Sequence, residues 1–525
     1  MIIADLIRQS FRQHADRVAI EDGDSSRTYA EVWERAIRLA NALSDLGIVK
    51  GDRVATLGPN DMCTLEEMVG LALGGYVRTA LHGMNTGDAH RQMLEASGAK
   101  ALITHTDHLT RFADTFASIP DLTICLVHSG PGDSGKSGLD YEQALAATTA
   151  VDRHVPIDPD DVIHLAYSSG SSGTPSASIH THESWMHVTT DNVTLLPRLT
   201  HDDVYLAAAP LTHAASTVLY ALLHRGASIQ IMDHFDPASA LALIESKRCS
   251  LTVVVPTMLQ ALATHPDAKT RDLSSLRAIL YAGAPISVET ARAAQEAFGN
   301  VLFQSYGQSE CLPATSLTPE DHALGATVDA SLLRSAGRPC LNATIRLLGD
   351  DGEDVATGEV GEILIRTEGR MRGIYGNPAA TTARITDDGF VRTNDLGYFD
   401  KRGYLFVVDR KDDMIISGGF NIWPAEIENA LSQHPAVAEA LVVGVPHPKW
   451  GETPHAIVVV RDGMQVTVEE LIQLCRDQLG SLKKPTEIAL RSEPLPRTEL
   501  GKLQRRVIRD QYWPTGSRER EVSGA

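Results

Sequence analysis

No apolar run in this 525-residue chain approaches the roughly 20 residues a bilayer-spanning helix needs, which excludes an integral membrane protein. An excess of positive charge is missing too: 47 Lys and Arg stand against 67 Asp and Glu, a net charge of −20. That balance argues against generic nucleic-acid binding, because phosphate contacts need a basic surface. It leaves open a small anionic ligand in a local pocket. Cysteine is scarce, with six residues (Cys63, Cys125, Cys249, Cys311, Cys340 and Cys475) and no CxxC pair. Neither a disulfide framework nor a zinc ribbon follows from that spacing, and the reading is reduced thiols in a cytoplasmic protein. A secretory signal is lacking as well. Asp5, Arg8 and Arg12 interrupt the apolar residues at the start of the chain, which predicts an amphipathic helix. Among the 20 histidines, His105 with His108 and His180 with His182 are close pairs. No HExxH or Cys/His ligand set accompanies them, so ordinary core or surface roles are favoured over a metal site.

The remaining composition is that of a folded globular protein, 43% hydrophobic and 22% charged, and the length predicts roughly three folded units. Short β-branched runs alternate with helical stretches. Residues 252–255 stop at Pro256, 278–281 stop at Gly283, and 301–304 run into Gly307. Between the last two, 288–298 is rich in Ala, Glu, Gln and Arg, which favours helix. This alternation predicts parallel sheets flanked by helices, with ligands at the carboxyl ends of the strands. After about residue 330, 362–366 and 404–408 read as short strands between Gly, Asn and Asp turns, which predicts antiparallel hairpins. A boundary is expected within 409–413. Beyond it come a helix from Pro424, a residue suited to a first helical turn, to Leu431; strands at 440–445 and 456–460; a helix over 468–479; and a strand at 487–490. Residues 129–138 read as an exposed Ser/Gly loop, and the polar tail after Trp513 as frayed.

The chemistry-bearing stretches follow strands. After the apolar run 162–166 comes Tyr167, then Ser168, Ser169, Gly170, Ser171, Ser172, Gly173, Thr174 and Pro175. Backbone N–H groups in such a run can converge on phosphate oxygens, and the hydroxyls add donors. A flexible linker has the same composition. It is not a Walker loop, because no Gly-Lys-Ser/Thr follows. Tyr306, Gly307 and Glu310 form a second cluster: a tyrosine at a strand end can stack on a purine, and a nearby carboxylate can hold Mg²⁺ against a triphosphate. Ala282, Gly283, Ala284 and Pro285 make a turn with little bulk. Either cluster reads equally as a plain strand-to-helix turn. Asp395 can accept hydrogen bonds from two vicinal hydroxyls, although an Asx turn would use Asn394-Asp395-Leu396-Gly397 in the same way.

Taken together and in order, these stretches resemble the adenylate-forming superfamily of acyl-CoA synthetases, luciferases and peptide-synthetase adenylation domains. Ser168 to Pro175 fit the family's phosphate loop, and Thr181-His182 its downstream pair; Ser176 and Ala177 stand where the family has Lys-Gly. Residues 305–310 resemble its Tyr-Gly-x-Thr-Glu, 282–285 its adenine-side turn, and 393–397 its Thr-Gly-Asp-x-Gly. Residues 409–428 resemble the hinge and the loop after it, and 496–505 the last motif. Similarity extends upstream through Thr28-Tyr29 and 51–55.

The resemblance implies an α/β fold. A large N-terminal adenylation domain (1–409) would hold doubly wound sheets and a small β-barrel-like subdomain, followed by a small mobile α+β domain (410–525). It implies an AMP-forming acid–CoA ligase that uses ATP, Mg²⁺ and CoA, as a monomer or homodimer, with no nucleic-acid partner. The alternatives are loading of a carrier protein, or a catalytically impaired nucleotide-binding relative, the latter motivated by Ser176. ATP would meet Ser168 to Gly173, Gly283, Ala284, Pro285, Tyr306, Gly307, Asp395 and Arg410. Glu310 would hold Mg²⁺, Lys502 would be the catalytic lysine, and Asp412 would be the hinge. Ser417, Gly418 and Gly419 would border the CoA tunnel, glycine allowing close passage. His213, Ala214, Ala215 and Ser216 resemble the acyl-site lining, with His213 able to gate the carboxylate or simply to end a loop. No acidic residue stands there to pair with an α-amino group, so the expected substrate is a medium-chain or aromatic acid.

Overall fold

The computed structural model describes residues 1–128, 138–168, 176–212, 214–481, 483–497 and 503–513. The expected loop at 129–137 and the tail from 514 lie outside these residues. Packing divides the chain into two compact units, Met1–Ile345 with Leu364–Arg392, and Arg346–Ile363 with Thr393–Ala525.

The first unit holds two sheets. One runs Arg338–Pro339, Cys311–Leu317, Leu302–Gln308, Ala278–Ala282, Leu251–Val254, Val204–Ala207, Ser228–Ile231, Val18–Asp22 and Ser25–Thr28. Its middle strands are parallel, as the alternating pattern predicts, and antiparallel partners close both edges. The other runs Gly138–Asp140, Ile124–His128, Ala101–His105, Arg53–Leu57, Val77–Ala80, Val162–Ser168 and Ser176–Thr181.

Three folded units were expected from length, and packing gives two. The reason is a shared core. Val69 of helix Thr64–Leu73 and Ile163 of the second sheet bury in one cluster with Tyr205, Leu219 and Ile229 from the side of the first. Asn60 adds a polar tie. Its side chain donates to the carbonyls of Ala207 (3.2 Å) and Ala209 (2.9 Å) and accepts from the amide of Leu211 (2.9 Å). The N-terminal helix Ile3–Gln13 is amphipathic as expected and buries Ile3, Leu6, Ile7 and Phe11.

A four-stranded sheet, ordered Thr344–Leu348, Gly361–Arg366, Val391–Phe399, Leu405–Arg410, stands where a small β-barrel-like subdomain was expected; among the described residues its first and last strands do not pair to close it. Strand Leu405–Arg410 pairs antiparallel with Val391–Phe399, Asp395 opposite Arg410. Residues 393–409 group with the chain after 410 in this division of the packing. The rest of the second unit is a five-stranded sheet, Phe420–Ile422, Ile415–Ser417, Gly451–Val460 and Val437–His447, with Glu487–Arg491 alongside Gly451–Val460. Helices Pro424–Ser432 and Val468–Leu479 bury Ile427, Leu431, Leu471 and Cys475 against Ile415, Val442 and Val458.

Candidate active site

In the first unit, strands Ala278–Ala282 and Leu302–Gln308 lie side by side and parallel, Ala282 opposite Ser305. Their carboxyl ends therefore carry the low-bulk turn and the Tyr306–Glu310 stretch to one place, as parallel α/β sheets do with ligand-binding loops. Gly283 leaves its strand with φ +88°, a conformation that glycine adopts without a Cβ penalty. At Gly307 a Cβ would stand 2.8 Å from the carbonyl oxygen of Cys311. The register slips between Tyr306 and Gln308 there, a bulge of the kind that re-aims neighbouring side chains.

Glu310 is buried. Its Oε2 accepts from the Ser309 hydroxyl at 2.9 Å, and its Oε1 faces Arg384 Nη2 at 3.3 Å. Its carbonyl oxygen accepts from the Met371 amide at 2.8 Å. His180 Nε2 lies 2.7 Å from the Ser309 carbonyl oxygen. Burial pushes the His180 and His182 rings down to about 4, so both are neutral at pH 7. His105 is paired with Asp61 at 3.1 Å. Among the described residues, no group of three or more His, Cys, Asp and Glu could hold a metal ion. Mg²⁺ carried on a triphosphate takes one or two protein carboxylates and fills its shell with phosphate oxygens and water. The single carboxylate of Glu310 fits an ion of that kind and not a resident one.

The expected phosphate loop joins two antiparallel strands, with Ser168 opposite Ser176. Residues 169–175, which include Ser169, Gly170, Ser171, Ser172 and Gly173, lie outside the described residues, as do His213 and Lys502. Ser176 opens the strand Ser176–Thr181, whose other edge is covered by 371–375: the amide of Tyr375 bonds the carbonyl of Ala177 at 2.8 Å, and that of Ile179 bonds the carbonyl of Gly373 at 2.9 Å. The short helical turn Ala214–Ser216 carries the expected acyl lining. Ala215 and Ser216 are buried, and the Ala215 carbonyl accepts from the Tyr205 hydroxyl at 3.0 Å.

In the second unit, Asp395 is buried with its Oδ1 3.0 Å from Arg410 Nε. Asn394 takes the left-handed conformation (φ +62°), which asparagine tolerates better than most residues. The Asn394 side chain donates to Asp412 Oδ2 at 3.1 Å. Gly418 and Gly419 have φ +58° and +83° and turn the hairpin between Ile415–Ser417 and Phe420–Ile422. That two-residue turn requires positive φ at both positions, which accounts for both glycines before any ligand is considered.

Sequence reasoning missed two features here. Arg384 is a lone arginine at the end of helix Pro378–Arg384, and no spacing links it to Glu310. The strand-like cover at 371–375 has no alternating pattern to announce it.

The family described as AMP-binding enzyme matches residues 7–375, and its C-terminal domain matches 426–502. A feruloyl-CoA synthase of Amycolatopsis sp. is 36% identical over 505 residues, covering 95% of this chain and 97% of that one. The medium/long-chain-fatty-acid–CoA ligase FadD8 of Mycobacterium tuberculosis is 32% identical, covering 98% of this chain and 90% of its own. Among solved structures, the amide bond synthetase McbA from Marinactinospora thermotolerans superposes with a TM-score of 0.87 at 29% identity, over 97% of this chain and 100% of that one. The chain belongs to the AMP-binding enzyme family, within the adenylate-forming superfamily to which acyl-CoA synthetases belong.

Proposed function

We propose that the chain is an AMP-forming acid–CoA ligase acting on a medium-chain or aromatic carboxylic acid, at work in the cytoplasm. The observation that carries this is the convergence of the Gly283 turn, Tyr306 and Glu310 at the ends of two adjacent parallel strands. They lie inside the segment that matches the family. A feruloyl-CoA synthase and a fatty-acid–CoA ligase among the relatives support the aromatic and aliphatic ends of the substrate range.

The reaction has two steps. A carboxylate oxygen bonds to the α-phosphorus of ATP while the bond to the β-phosphate oxygen breaks, giving acyl-adenylate and pyrophosphate. The sulfur of CoA then bonds to the acyl carbon; AMP leaves and the thiol proton is released. The first step sets anion against anion, so positive charge must be placed where it develops. Mg²⁺ supplies part of that charge when bound to Glu310. Tyr306 offers a face to adenine beside the open turn at Gly283. Asp395, already oriented by Arg410, accepts the ribose hydroxyls. Lys502 approaches the incoming carboxylate and the α-phosphate, and Asp412 is the pivot about which 410–525 moves between steps. Ala214, Ala215 and Ser216 keep the acyl site free of charge, and Ser417 to Gly419 pass the pantetheine arm.

Pyrophosphate release measured with a panel of carboxylic acids, with and without CoA, tests the reading. Release that depends on the acid, with thioester formed only when CoA is present, is expected. Release without any thioester would move the acceptor to a carrier protein or an amine. No release with any acid would remove the ligase reading.

A further inference from the structure

The segment from Ser168 through Thr181 contains no lysine, arginine, aspartate or glutamate. Its one titratable side chain, His180, is buried and turned to the Ser309 carbonyl. The loop can therefore offer a triphosphate amides and hydroxyls but no cation. A cation does stand at Glu310. Arg384 Nη2 lies 3.3 Å from Glu310 Oε1 and 3.4 Å from Gln308 Oε1. Both contacts are long for charge-assisted bonds, which run at about 2.7–2.9 Å. They use one nitrogen of a group that carries five N–H donors, and Arg384 makes no other polar contact among the described residues.

The helix that presents Arg384 is fixed to the phosphate-loop hairpin itself. Thr381 Oγ1 accepts from the Ile374 amide at 2.9 Å. Residue 374 bridges to Ser178, and the next amide, Tyr375, bonds Ala177. Pro378 starts the helix, and the Asn377 side chain caps it by accepting from the Ala380 amide. A guanidinium on so short a helix is thus held in register with the strand that Ser176 opens.

Resting on the ligase reading, we propose that Arg384 is the cation that receives the β- and γ-phosphates of ATP, and that it stands in for the charge absent at Ser176. In the free protein Glu310 holds the guanidinium in place. With Glu310 engaged by a nucleotide-borne metal, the same nitrogen would be free to donate to a phosphate oxygen. Arg384 thereby acts on the pyrophosphate leaving group and not on the adenosine.

Calorimetric titration with a non-hydrolysable ATP analogue and Mg²⁺, and separately with AMP, tests this without turnover. Five proteins are compared: wild type, Arg384→Met, Arg384→Gln, Ser176→Lys and the double variant Arg384→Met with Ser176→Lys. Arg384→Met is expected to weaken the triphosphate by about 10–100-fold, the range for a lost charge-assisted bond, and AMP by less than about threefold. Ser176→Lys should restore about tenfold in the Arg384→Met background and add less in the wild type, since exposed lysines gain little where a cation is already present. Arg384→Gln, which keeps a polar side chain and removes the charge, should weaken the triphosphate as Arg384→Met does, and it decides the matter should Arg384→Met not fold. Triphosphate affinity within about twofold of wild type in Arg384→Met, or equal losses for triphosphate and AMP, would overturn the proposal. If the binding differences hold and no acid turns over, the ligase reading fails and the assignment of Arg384 stands.

Discussion

Asp409 shows a single side chain on which opposing effects are resolved by magnitude. Burial raises its pKa and outweighs the pull of Arg505 and the two amides, Arg410 (2.7 Å) and Ala425 (3.0 Å), that donate to it; the result is pushed up to about 6. The unfolded value is about 3.9. Protonation therefore favours the fold, a contribution complete below about pH 4 and lost as the pH rises through about 6. Above that, ionised Asp409 is a net cost. Asp409→Asn fixes the neutral form, so the stability difference between variant and wild type should move in the variant's favour from pH 5 to pH 8. Partial exposure screens the carboxylate and holds the change to about 1–2 kcal/mol. Urea unfolding at the two pH values reads it, and a difference that does not change with pH would contradict the assignment. The candidate site residues that the sequence singles out share one property, which is that each is read from its immediate neighbours. Tyr306 stands near the end of strand Leu302–Gln308 with Glu310 four residues on, and Asp395 lies in strand Val391–Phe399 opposite Arg410. Arg384 was invisible because its partner is 74 residues away, and Ser176 gave no hint of what replaces its charge.

Elements were legible where one period dominated. The pattern-based helices at 288–298 and 468–479 are present with the same bounds, Val288–Phe298 and Val468–Leu479. The strand read at 301–304 extends in fact to Gln308. Its second half is polar and carries the bulge at Gly307, so it lacks the apolar signal that a core strand gives. The segment between Leu405–Arg410 and Ile415–Ser417, where the hinge is expected, is tied by backbone and side chain: the Lys411 amide to the Asn394 carbonyl at 2.8 Å, the Asp413 amide to the Arg410 carbonyl at 3.0 Å, the Asn394 side chain to Asp412 at 3.1 Å, and Asp413 to Arg505 at 3.4 Å. A proline at 412 fixes φ near −65° and removes the N–H. If this residue absorbs the rotation between half-reactions, Asp412→Pro should keep acid-dependent pyrophosphate formation within a few-fold. Thioester formation from preformed adenylate should fall by more than about tenfold. Single-turnover measurement of each half separates them, and equal loss of both with native circular dichroism would count against a switch here.

At the scale of the whole molecule, length alone predicted three folded parts, but the two sheets of the first unit share a core and count as one. The acidic balance of the chain is no obstacle to the proposed nucleotide site, because the charges proposed to act there are local: Glu310, Arg384 and, from the far end of the sequence, Lys502. Lys502 in this account serves only the first half-reaction. Lys502→Ala should therefore lose about 10²–10³ in adenylation rate, the usual cost of one preorganised donor, yet convert synthetic acyl-adenylate and CoA to thioester at near wild-type rate. Loss of both would make the lysine structural or shared between steps. The central claim is that the acid is activated by its own oxygen attacking the α-phosphate, and one experiment follows that atom directly. The wild-type protein is given ATP, CoA and an acid whose carboxylate carries heavy oxygen, and the products are weighed by mass spectrometry. The account requires one labelled oxygen in the AMP phosphate, none in pyrophosphate, and the other in the thioester carbonyl. Label in pyrophosphate or inorganic phosphate, or unlabelled AMP beside labelled thioester, would contradict an acyl-adenylate and with it the assignment of this site.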